Sequence, residues 1–377
     1  MIALEPVVFY ICTGFIFINC CFYVYFGGFC FRKAKIKEFH KSALPPLSIL
    51  VCARNEAQNL AANVPFLLKQ KYPEFEILLV NDGSTDETAA VIDAFSATNP
   101  NVRALHTKAK ADTRSGKKQA LSTAIAAARH EHLLFMDADC RPRTTHWAQE
   151  MAQGFDTGKQ IVLGYGSYAT VNNTLLNKII RFETLLTAMQ YFGYAKRKNA
   201  YMGVGRNLGY TKTLFYAQNG FSAHNDAPSG DDDLFVNAAA TVTNVSCVYT
   251  TQSFSVSMPK TTWTDWFLQK RRHISVADRY KKRHQLSLGL FYISQFLPYI
   301  LVIFLLFSPV FSRISLSILL VRYLFVGFIM YAGMKRFQEK NLIYWFPVLE
   351  IILVLSQLSI FILSITTRVT PWKSNQT

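Results

Sequence analysis

The sequence lacks the cysteine spacing that a zinc site or a dithiol redox site requires. Its seven cysteines are scattered, and no two of them form a Cys-x-x-Cys pair. Those at positions 12, 20, 21 and 30 fall in or beside an apolar N-terminal segment, where we interpret them as small hydrophobic side chains. Internal repeats and low-complexity tracts are missing as well, which argues against a repeat architecture.

Two common glycine-rich nucleotide loops are also missing. A dinucleotide-binding fold needs Gly-x-Gly-x-x-Gly directly after its first strand, and that position holds Cys52-Ala53-Arg54-Asn55-Glu56. Ser115-Gly116-Lys117-Lys118 is not a P-loop, because the first glycine and the final Ser/Thr of that motif are absent. Hydride transfer on a Rossmann fold and P-loop phosphate chemistry are therefore disfavoured.

Acidic residues are in short supply. The chain has 40 basic and 24 acidic residues, a formal net charge of +16. Many basic residues stand beside long apolar segments, as in Lys281-Lys282-Arg283 and Lys335-Arg336, and attraction to anionic lipid explains this placement. Since we find no DNA- or RNA-binding signature, we expect a lipid bilayer as partner and no nucleic acid.

Half of the residues are hydrophobic, and they are concentrated at the two ends of the chain. Residues 7–29 contain no charge and are long enough for one transmembrane helix, which takes ~20 residues. This segment lacks the features of a signal peptide and is followed by Arg32, Lys33, Lys35 and Lys37, so the next part of the chain should be cytoplasmic. Residues 288–307, 314–334 and 343–365 predict three C-terminal spans. Four spans would put the C-terminus outside, whereas Arg368 and Lys373 favour inside, and the question stays open.

Two charges interrupt the predicted C-terminal spans. Arg322 falls in the third of the four spans and Glu350 in the fourth. An unpaired charge at mid-membrane costs about 2.5 to 3.5 kcal/mol even on a lenient scale. We therefore predict that Arg322 and Glu350 form an ion pair.

Between the spans, short β-rich runs alternate with helical stretches, as in a parallel α/β sheet. Strands are predicted at residues 47–51, 76–80, 102–105 and 132–136, with helices at residues 57–70 and 117–129. Ser84 and Glu87 form a capping-box pattern for a further helix. Ligands of such sheets bind beyond the carboxyl ends of the strands, where acidic residues recur.

Asp137-Ala138-Asp139 is the most informative of these acidic groups. It ends the apolar run of residues 132–136, where a strand meets a loop. Two carboxylates one residue apart can supply the oxygen ligands that Mg2+ or Mn2+ prefers. Taken alone, the pair fits a solvated turn as well as it fits a cation site.

Several short motifs occur in the order found in family 2 inverting glycosyltransferases. They are residues 53–56, Val80-Asn81-Asp82-Gly83-Ser84, Lys117 with Ala120-Leu121, Asp137-Ala138-Asp139, Gly230-Asp231-Asp232 and Gln269-x-x-Arg272. The chain resembles the membrane-embedded branch that includes hyaluronan, cellulose and poly-N-acetylglucosamine synthases and ceramide glucosyltransferase. The resemblance implies an α/β fold of GT-A type, a nucleotide diphosphate sugar donor, and Mg2+ or Mn2+ as cofactor.

The resemblance also implies roles for single residues. Glu56, Asp82, Lys117, Asp137 and Asn207 would bind the nucleotide sugar, and Asp139 together with Asp137 would hold the metal. Asp232 would be the general base, with Asp231, Gln269 and Arg272 as further catalytic residues. Tyr210 is a lesser candidate for the pocket. Alone, the run of acids at residues 231–233 could equally be the acidic N-cap of a helix that begins near Leu234.

Residues 262–280 have the pattern of an amphipathic helix lying in the membrane surface. Its tryptophans would lie at headgroup level while Gln269 and Arg272 turn toward the substrates. The family pattern is Gln-x-x-Arg-Trp, but this chain has His273 in the last place, which weakens the case for a processive synthase. Residues 175–192 predict a second helix, either at the surface or in the core.

These patterns predict four regions. Residues 1–37 would form the first transmembrane helix with its linker, residues 38–260 a cytoplasmic GT-A domain, residues 261–285 the interface helix, and residues 286–377 the C-terminal spans. We expect an enzyme of the plasma (inner) membrane that transfers a sugar, most simply from a UDP-sugar, to a lipid or glycan acceptor. A processive polysaccharide synthase and a catalytically silent scaffold are the alternatives.

Overall fold

The structure is a computed structural model that describes residues 4–32, 44–107, 116–227 and 229–366, without the side chains of residues 157, 365 and 366. The predicted basic residues Lys33, Lys35 and Lys37, and Arg368 and Lys373 of the tail, lie outside these ranges. So does Ser115 of the segment that fails as a P-loop.

A mixed sheet of seven strands forms the centre of the soluble part. The described residues form ten strands: β1 (Leu47–Ala53), β2 (Phe75–Asp82), β3 (Val102–Thr107), β4 (His132–Phe135), β5 (Cys140–Pro142), β6 (Ile161–Leu163), β7 (Gly166–Tyr168), β8 (Leu208–Thr211), β9 (Val245–Cys247) and β10 (Ser255–Ser257). The large sheet has the order β3-β2-β1-β4-β8-β6-β9, and its first four strands are parallel. All seven residues of β1 are buried, as expected for a central parallel strand covered on both faces.

Helices cover the sheet and continue into the apolar part of the chain. They are α1 (Leu4–Gly27), α2 (Ala57–Leu68), α3 (Thr88–Thr98), α4 (Gly116–Ala127), α5 (Trp147–Ala152), α6 (Leu175–Lys196), α7 (Lys212–Ala217), α8 (Asp233–Ala239), α9 (Trp263–Ile274), α10 (Lys282–Leu305), α11 (Ser312–Arg336) and α12 (Phe346–Thr366). The predicted capping box is wrong. Helix α3 begins at Thr88 after Glu87, and the Oγ of Ser84 instead accepts a hydrogen bond from the Asn55 amide at 3.0 Å.

In the part of the chain that the structure describes, four helices are long and apolar enough to cross a membrane, as predicted: α1, α10, α11 and α12. Helix α1 packs against α10 and α11, so the N-terminal helix and the C-terminal helices form one bundle. The predicted ion pair inside this bundle is confirmed. Arg322 Nη1 lies 2.9 Å from Glu350 Oε2, and Nη2 lies 2.5 Å from Oε1.

Helix α6 links the sheet to the bundle. Most of its residues are buried, and it contacts β7, β9, α1 and α12. Of the two predictions for this segment, the core helix is therefore correct. A second small sheet, in the order β5-β10-β7, lies near the end of β4 and completes the wall on which the candidate site is built.

Candidate active site

Three of the predicted acids reach one edge of the sheet because neighbouring parallel strands end there. Asp82 is the last residue of β2, Glu56 follows β1 after a short turn, and Asp137 follows β4. Asn55 in that turn has a φ of 54° and its side-chain oxygen accepts from the Thr85 amide at 2.8 Å, which ties the loops after β1 and β2 together. Parallel strand order thus explains why distant sequence motifs meet.

Lys117 sits between two of the candidate acids. It lies in the first turn of α4, and its Nζ is 2.9 Å from Asp137 Oδ1 and 2.8 Å from Asp231 Oδ2. The two carboxylates raise the pKa of the lysine despite its burial, and Lys117 in turn lowers the pKa of Asp231. The lysine therefore neutralises acids from two different motifs and holds the loop before α8 against the end of β4.

Asp232 is held by backbone amides. Its Oδ2 accepts from the Gly205 amide at 2.6 Å and its Oδ1 from the Asp233 amide at 2.8 Å. Burial, helped by the neighbouring Asp231 and Asp233, raises the pKa of Asp232 to about 7. Asp232 is also the N-cap residue of α8. The helix-capping role that the sequence suggested and the raised pKa therefore belong to the same residue.

The third acid of the run, Asp233, also lines the cavity and is bonded to a tyrosine. Tyr280 Oη donates to Asp233 Oδ2 at 2.6 Å, and burial raises the pKa of Asp233 to about 6. Because Tyr280 lies two residues before α10 begins, this bond connects the acid loop to the start of the bundle.

A candidate metal centre is formed where β4 ends. Asp137, Asp139 and Cys140 each offer a ligand atom, and these atoms lie within 4.8 Å of one another. Burial raises the pKa of the Cys140 thiol, which leaves the two carboxylates as the ligands suited to a hard cation. Burial and the charge of Asp137 raise the pKa of Asp139, and a bound cation would relieve both effects.

A single cavity of about 1520 Å³ joins these groups. Glu56, Lys117 and all of the acids at positions 137, 139, 231 and 232 line it, as do Gln269 and Arg272. The cavity then continues between apolar side chains of α10 and α12, including Leu288, Ile293, Leu358 and Phe361. It therefore runs from the sheet edge into the bundle.

Asp82 lies just behind the cavity wall. Its carboxylate is 4% exposed, and among the described residues its Oδ2 has no hydrogen-bond partner. Gly116 makes room for it, because a Cβ at that position would lie 2.8 Å from Asp82 Oδ2. Burial raises the pKa of Asp82, in keeping with a carboxylate that is prepared for a partner other than protein.

Asn207 is corrected by the structure, which places it outside the cavity. It is fully buried, and its Nδ2 donates to the carbonyl oxygens of Tyr165 at 2.9 Å and Ser253 at 2.8 Å. Its Oδ1 accepts from Trp147 Nε1 at 3.0 Å. Because every one of these bonds is to protein, the side chain of Asn207 braces the loop before β8 and is not among the groups that line the cavity. Tyr210 is likewise buried, with its ring stacked on Phe135.

Helix α9 forms one wall of the cavity but differs from the predicted interface helix. It ends at Ile274, shorter than predicted, and Trp266 is 1% exposed, so this tryptophan belongs to the core and does not lie at headgroup level. Trp263 is 39% exposed, in keeping with the prediction. His273 lines the cavity and its side chain is exposed there. The surrounding protein and the charges of Lys270 and Arg272 lower its pKa.

Three residues of the cavity wall were not predicted from the sequence as site residues. Arg206 and Tyr168 lie against each other, with the guanidinium carbon 4.3 Å from the centre of the ring. Gly205 lies where the site converges, since a Cβ there would be 3.4 to 3.6 Å from Asp232, Asp137 and Lys117. Gly205 and Arg206 lie in the glycine-rich run of residues 203–210, which resembles the element that precedes the base in family 2 relatives, but an ordinary glycine turn explains its glycines equally well.

Comparison with known proteins agrees with this fold. Residues 48–217 match the model of the glycosyl transferase family 2. Glycosyltransferase GlyG of Streptococcus pneumoniae is 37% identical over 93 residues, which are 25% of this chain and 30% of that protein. Poly-beta-1,6-N-acetyl-D-glucosamine synthase of Staphylococcus epidermidis is 31% identical over 108 residues, 29% of this chain and 25% of that protein. The chain thus matches less than a third of either relative's length.

One solved structure resembles the whole chain. A mannosyltransferase of Pyrobaculum calidifontis, solved in complex with GDP-Man and Mn2+, has a TM-score of 0.60 and covers 98% of this chain and 100% of its own. The sequence identity is 14%, so this likeness concerns the fold. The soluble part of the chain has the GT-A fold, and residues 48–217 carry the match to the glycosyl transferase family 2. In the described part of the chain this region is joined to four helices that are long and apolar enough to cross a membrane.

Proposed function

We propose that this protein transfers a sugar, with inversion, from a nucleotide diphosphate sugar to a lipid or lipid-linked acceptor at the cytoplasmic face of the plasma membrane. The observation that carries the proposal is the continuity of the cavity. One end is lined by Asp137, Asp139 and Asp232, and the other end by apolar side chains of α10 and α12. A polar donor and an acceptor with a hydrocarbon chain can therefore meet without either leaving its preferred solvent.

The apolar end is long enough to hold part of a lipid chain. It is lined on α12 from Leu353 to Phe361, about 12 Å along the helix at ~1.5 Å per residue. Tyr292 and Ile293 of α10 face it. A soluble acceptor would gain no binding free energy from this apolar wall. A hydrocarbon chain would gain about 0.8 kcal/mol of transfer free energy for each buried methylene.

Asp232 is the group best suited to be the general base. Two backbone amides fix its carboxylate, and a pKa of about 7 means that it can accept a proton near neutral pH. It would take the proton of the acceptor hydroxyl as that oxygen attacks the anomeric carbon and the nucleoside diphosphate leaves from the opposite side. Such proton transfer contributes roughly 10²- to 10⁴-fold to a rate.

A divalent cation fits the acids at the end of β4. Asp139 and Asp137 would hold it, because both are carboxylates, lie within 4.8 Å of each other at their ligand atoms, and face the cavity. Bound there, Mg2+ or Mn2+ would neutralise the charge of the departing diphosphate. Support for a metal also comes from the mannosyltransferase relative, which was solved with GDP-Man and Mn2+.

The wall near the base favours single transfer. His273 lines the cavity at the place where processive relatives carry a tryptophan. An imidazole is a smaller surface than an indole for stacking a sugar ring. We therefore propose a lipid acceptor that is glycosylated once, in preference to a growing polysaccharide.

The test is turnover by the full-length protein in lipid nanodiscs. The protein would be incubated with Mn2+ or Mg2+, a set of UDP- and GDP-sugars and a total lipid extract, and release of nucleoside diphosphate would be measured together with the mass of new glycolipids. We expect release that depends on both the metal and the lipid extract. Release without any glycolipid product, or a ladder of polymer products, would contradict the single-transfer proposal.

A further inference from the structure

The loop that carries Arg206 is fixed from both sides. The preceding residue, Gly205, donates its amide to Asp232, and the following residue, Asn207, is held by three hydrogen bonds. The Arg206 carbonyl itself accepts from Ser255 Oγ at 2.8 Å. The arginine side chain therefore leaves a rigid backbone and enters the cavity with a defined direction.

The aromatic ring of Tyr168 supports the guanidinium of Arg206. The guanidinium carbon lies over the ring of Tyr168, 4.3 Å from the ring centre, and its Nη1 is 3.4 Å from the Ser167 carbonyl oxygen. Strand β7 can come this close because residue 166 is glycine, where a Cβ would lie 2.9 Å from the Arg206 Cβ. Stacking uses the face of the guanidinium and leaves its N–H edge available for other partners.

The charge of Arg206 is not committed to a carboxylate. Among the described residues the guanidinium donates one hydrogen bond, the long one to Ser167, and forms no ion pair within 4.0 Å. Lys117 is different, because its ammonium group already touches Asp137 and Asp231. Asp137 and Asp139 still act on Arg206 electrostatically, which places the free cation beside the candidate metal centre.

We propose that Arg206, held by Tyr168, is a phosphate-binding residue of the cavity that grips two oxygens of one phosphate group through its N–H edge. A planar fork of donors matches two phosphate oxygens, and hydrogen bonds of this kind are among the strong ones. The inference rests on the proposed function, since phosphate can come from two sources there. One is the diphosphate of the donor, and the other is a phosphate in the headgroup of the lipid acceptor.

The experiment compares Arg206→Lys with Arg141→Lys in the full-length protein. Arg141 is a matched control, because its guanidinium also stacks on an aromatic ring, 4.6 Å from the centre of Phe66, but it is exposed and lies outside the cavity. Dissociation constants would be measured by calorimetry for UDP, GDP and dodecyl phosphate, each with Mn2+ and with EDTA. Lysine keeps the charge but loses the planar fork and the stacking.

We expect Arg206→Lys to weaken at least one of these probes by about tenfold, and Arg141→Lys to change none by more than about twofold. A loss confined to UDP or GDP identifies the donor diphosphate, and a loss confined to dodecyl phosphate identifies the acceptor headgroup. Unchanged constants for all three probes would overturn the inference. The EDTA arm shows whether the arginine acts without the metal, as a direct contact requires.

Two further results separate the possible failures. If the unmodified protein binds neither UDP nor GDP, the proposed function is wrong and the Arg206 site is judged on dodecyl phosphate alone. If Arg206→Lys does not fold, Tyr168→Leu decides, because it removes the aromatic ring and leaves the arginine. We expect that variant to weaken the same probe about threefold, and no change would overturn the inference.

Discussion

The structure contains two buried clusters of charge, one at the sheet edge and one inside the helix bundle. In the bundle, Arg322 and Glu350 form a two-point ion pair, and Asn19 Oδ1 accepts from the arginine at 2.8 and 3.0 Å. The Glu350 carboxylate also accepts a hydrogen bond from Gln295 at 3.0 Å and one from Tyr299 at 3.1 Å. All four helices of the bundle contribute, and the single positive charge meets a single negative charge.

At the sheet edge the charges do not balance. Lys117 is shared between Asp137 and Asp231, while Asp139 and Asp232 have no cation within ion-pair distance in the described part of the chain. Burial, together with the neighbouring carboxylates, raises the pKa values of Asp139 and Asp232. The bundle cluster is therefore balanced in charge, whereas the sheet-edge cluster has the excess of carboxylates that the proposed cation and the proposed proton transfer require.

The largest effect is expected for Asp232→Asn, which removes the proton acceptor but keeps the shape of the side chain. Turnover should fall by about 10²- to 10⁴-fold, while the dissociation constant of the nucleoside diphosphate changes little. Steady-state rates and calorimetry on the same preparation would measure both. Asp226→Asn is the control, because Asp226 belongs to the same loop but forms an exposed pair with Arg279 at 2.7 Å. Normal turnover of Asp232→Asn would exclude Asp232 as the base.

Breaking the bundle pair should cost stability and not chemistry directly. Glu350→Gln leaves Arg322 as an unpaired charge, so we expect a loss of about 3 to 5 kcal/mol in the free energy of unfolding. The double variant Arg322→Met with Glu350→Gln should recover part of that loss, because no charge is left unpaired. Chemical unfolding in detergent micelles would measure both. Independent and additive losses from the two positions would contradict a coupled pair.

Gly205→Ala tests how closely the sheet-edge cluster surrounds its substrates. The new methyl would lie 3.4 to 3.6 Å from Asp232, Asp137 and Lys117, an ordinary contact distance that leaves the fold intact but fills the space between the three groups. Turnover should fall by about 10²-fold with an unchanged melting temperature, since displacements of about 1 Å have effects of that size. Gly14→Ala is the control, because nothing lies within 4 Å of a Cβ there. Full activity of Gly205→Ala would place the reacting atoms elsewhere.

Much of the sheet-edge cluster could be predicted from sequence, for a physical reason. Asp137 and Asp139 end an apolar run, and parallel strands bring such ends together, so the pattern of β1, β2 and β4 already implied the crevice. The pairing of Arg322 with Glu350 followed as directly, because charges in an apolar span need partners.

Side chains on loops were harder to predict. Asn207 was placed in the pocket and Arg206 was overlooked, although the two are adjacent, because the direction of each side chain depends on β7, β10 and Trp147, which are distant in sequence. Trp266 was misplaced for a similar reason. Periodicity showed that one face of α9 is apolar, but it could not show that this part of the face packs in the core and not against lipid.

The protonation of Asp232 predicts a pH dependence in which activity and stability move in opposite directions, and it requires no substitution at the site. Asp232 must be deprotonated to act, so kcat/KM should fall about tenfold for each pH unit below about 7. Its pKa is raised in the folded protein, so the fold binds this proton more tightly than the unfolded chain does. The unmodified protein should therefore gain stability relative to Asp232→Asn as pH falls from about 7 toward 4. The prediction would be tested by measuring kcat/KM and the free energy of unfolding of both proteins across this pH range. If activity and stability fell together as the pH was lowered, the carboxyl group that controls the rate would not be the buried carboxyl of Asp232.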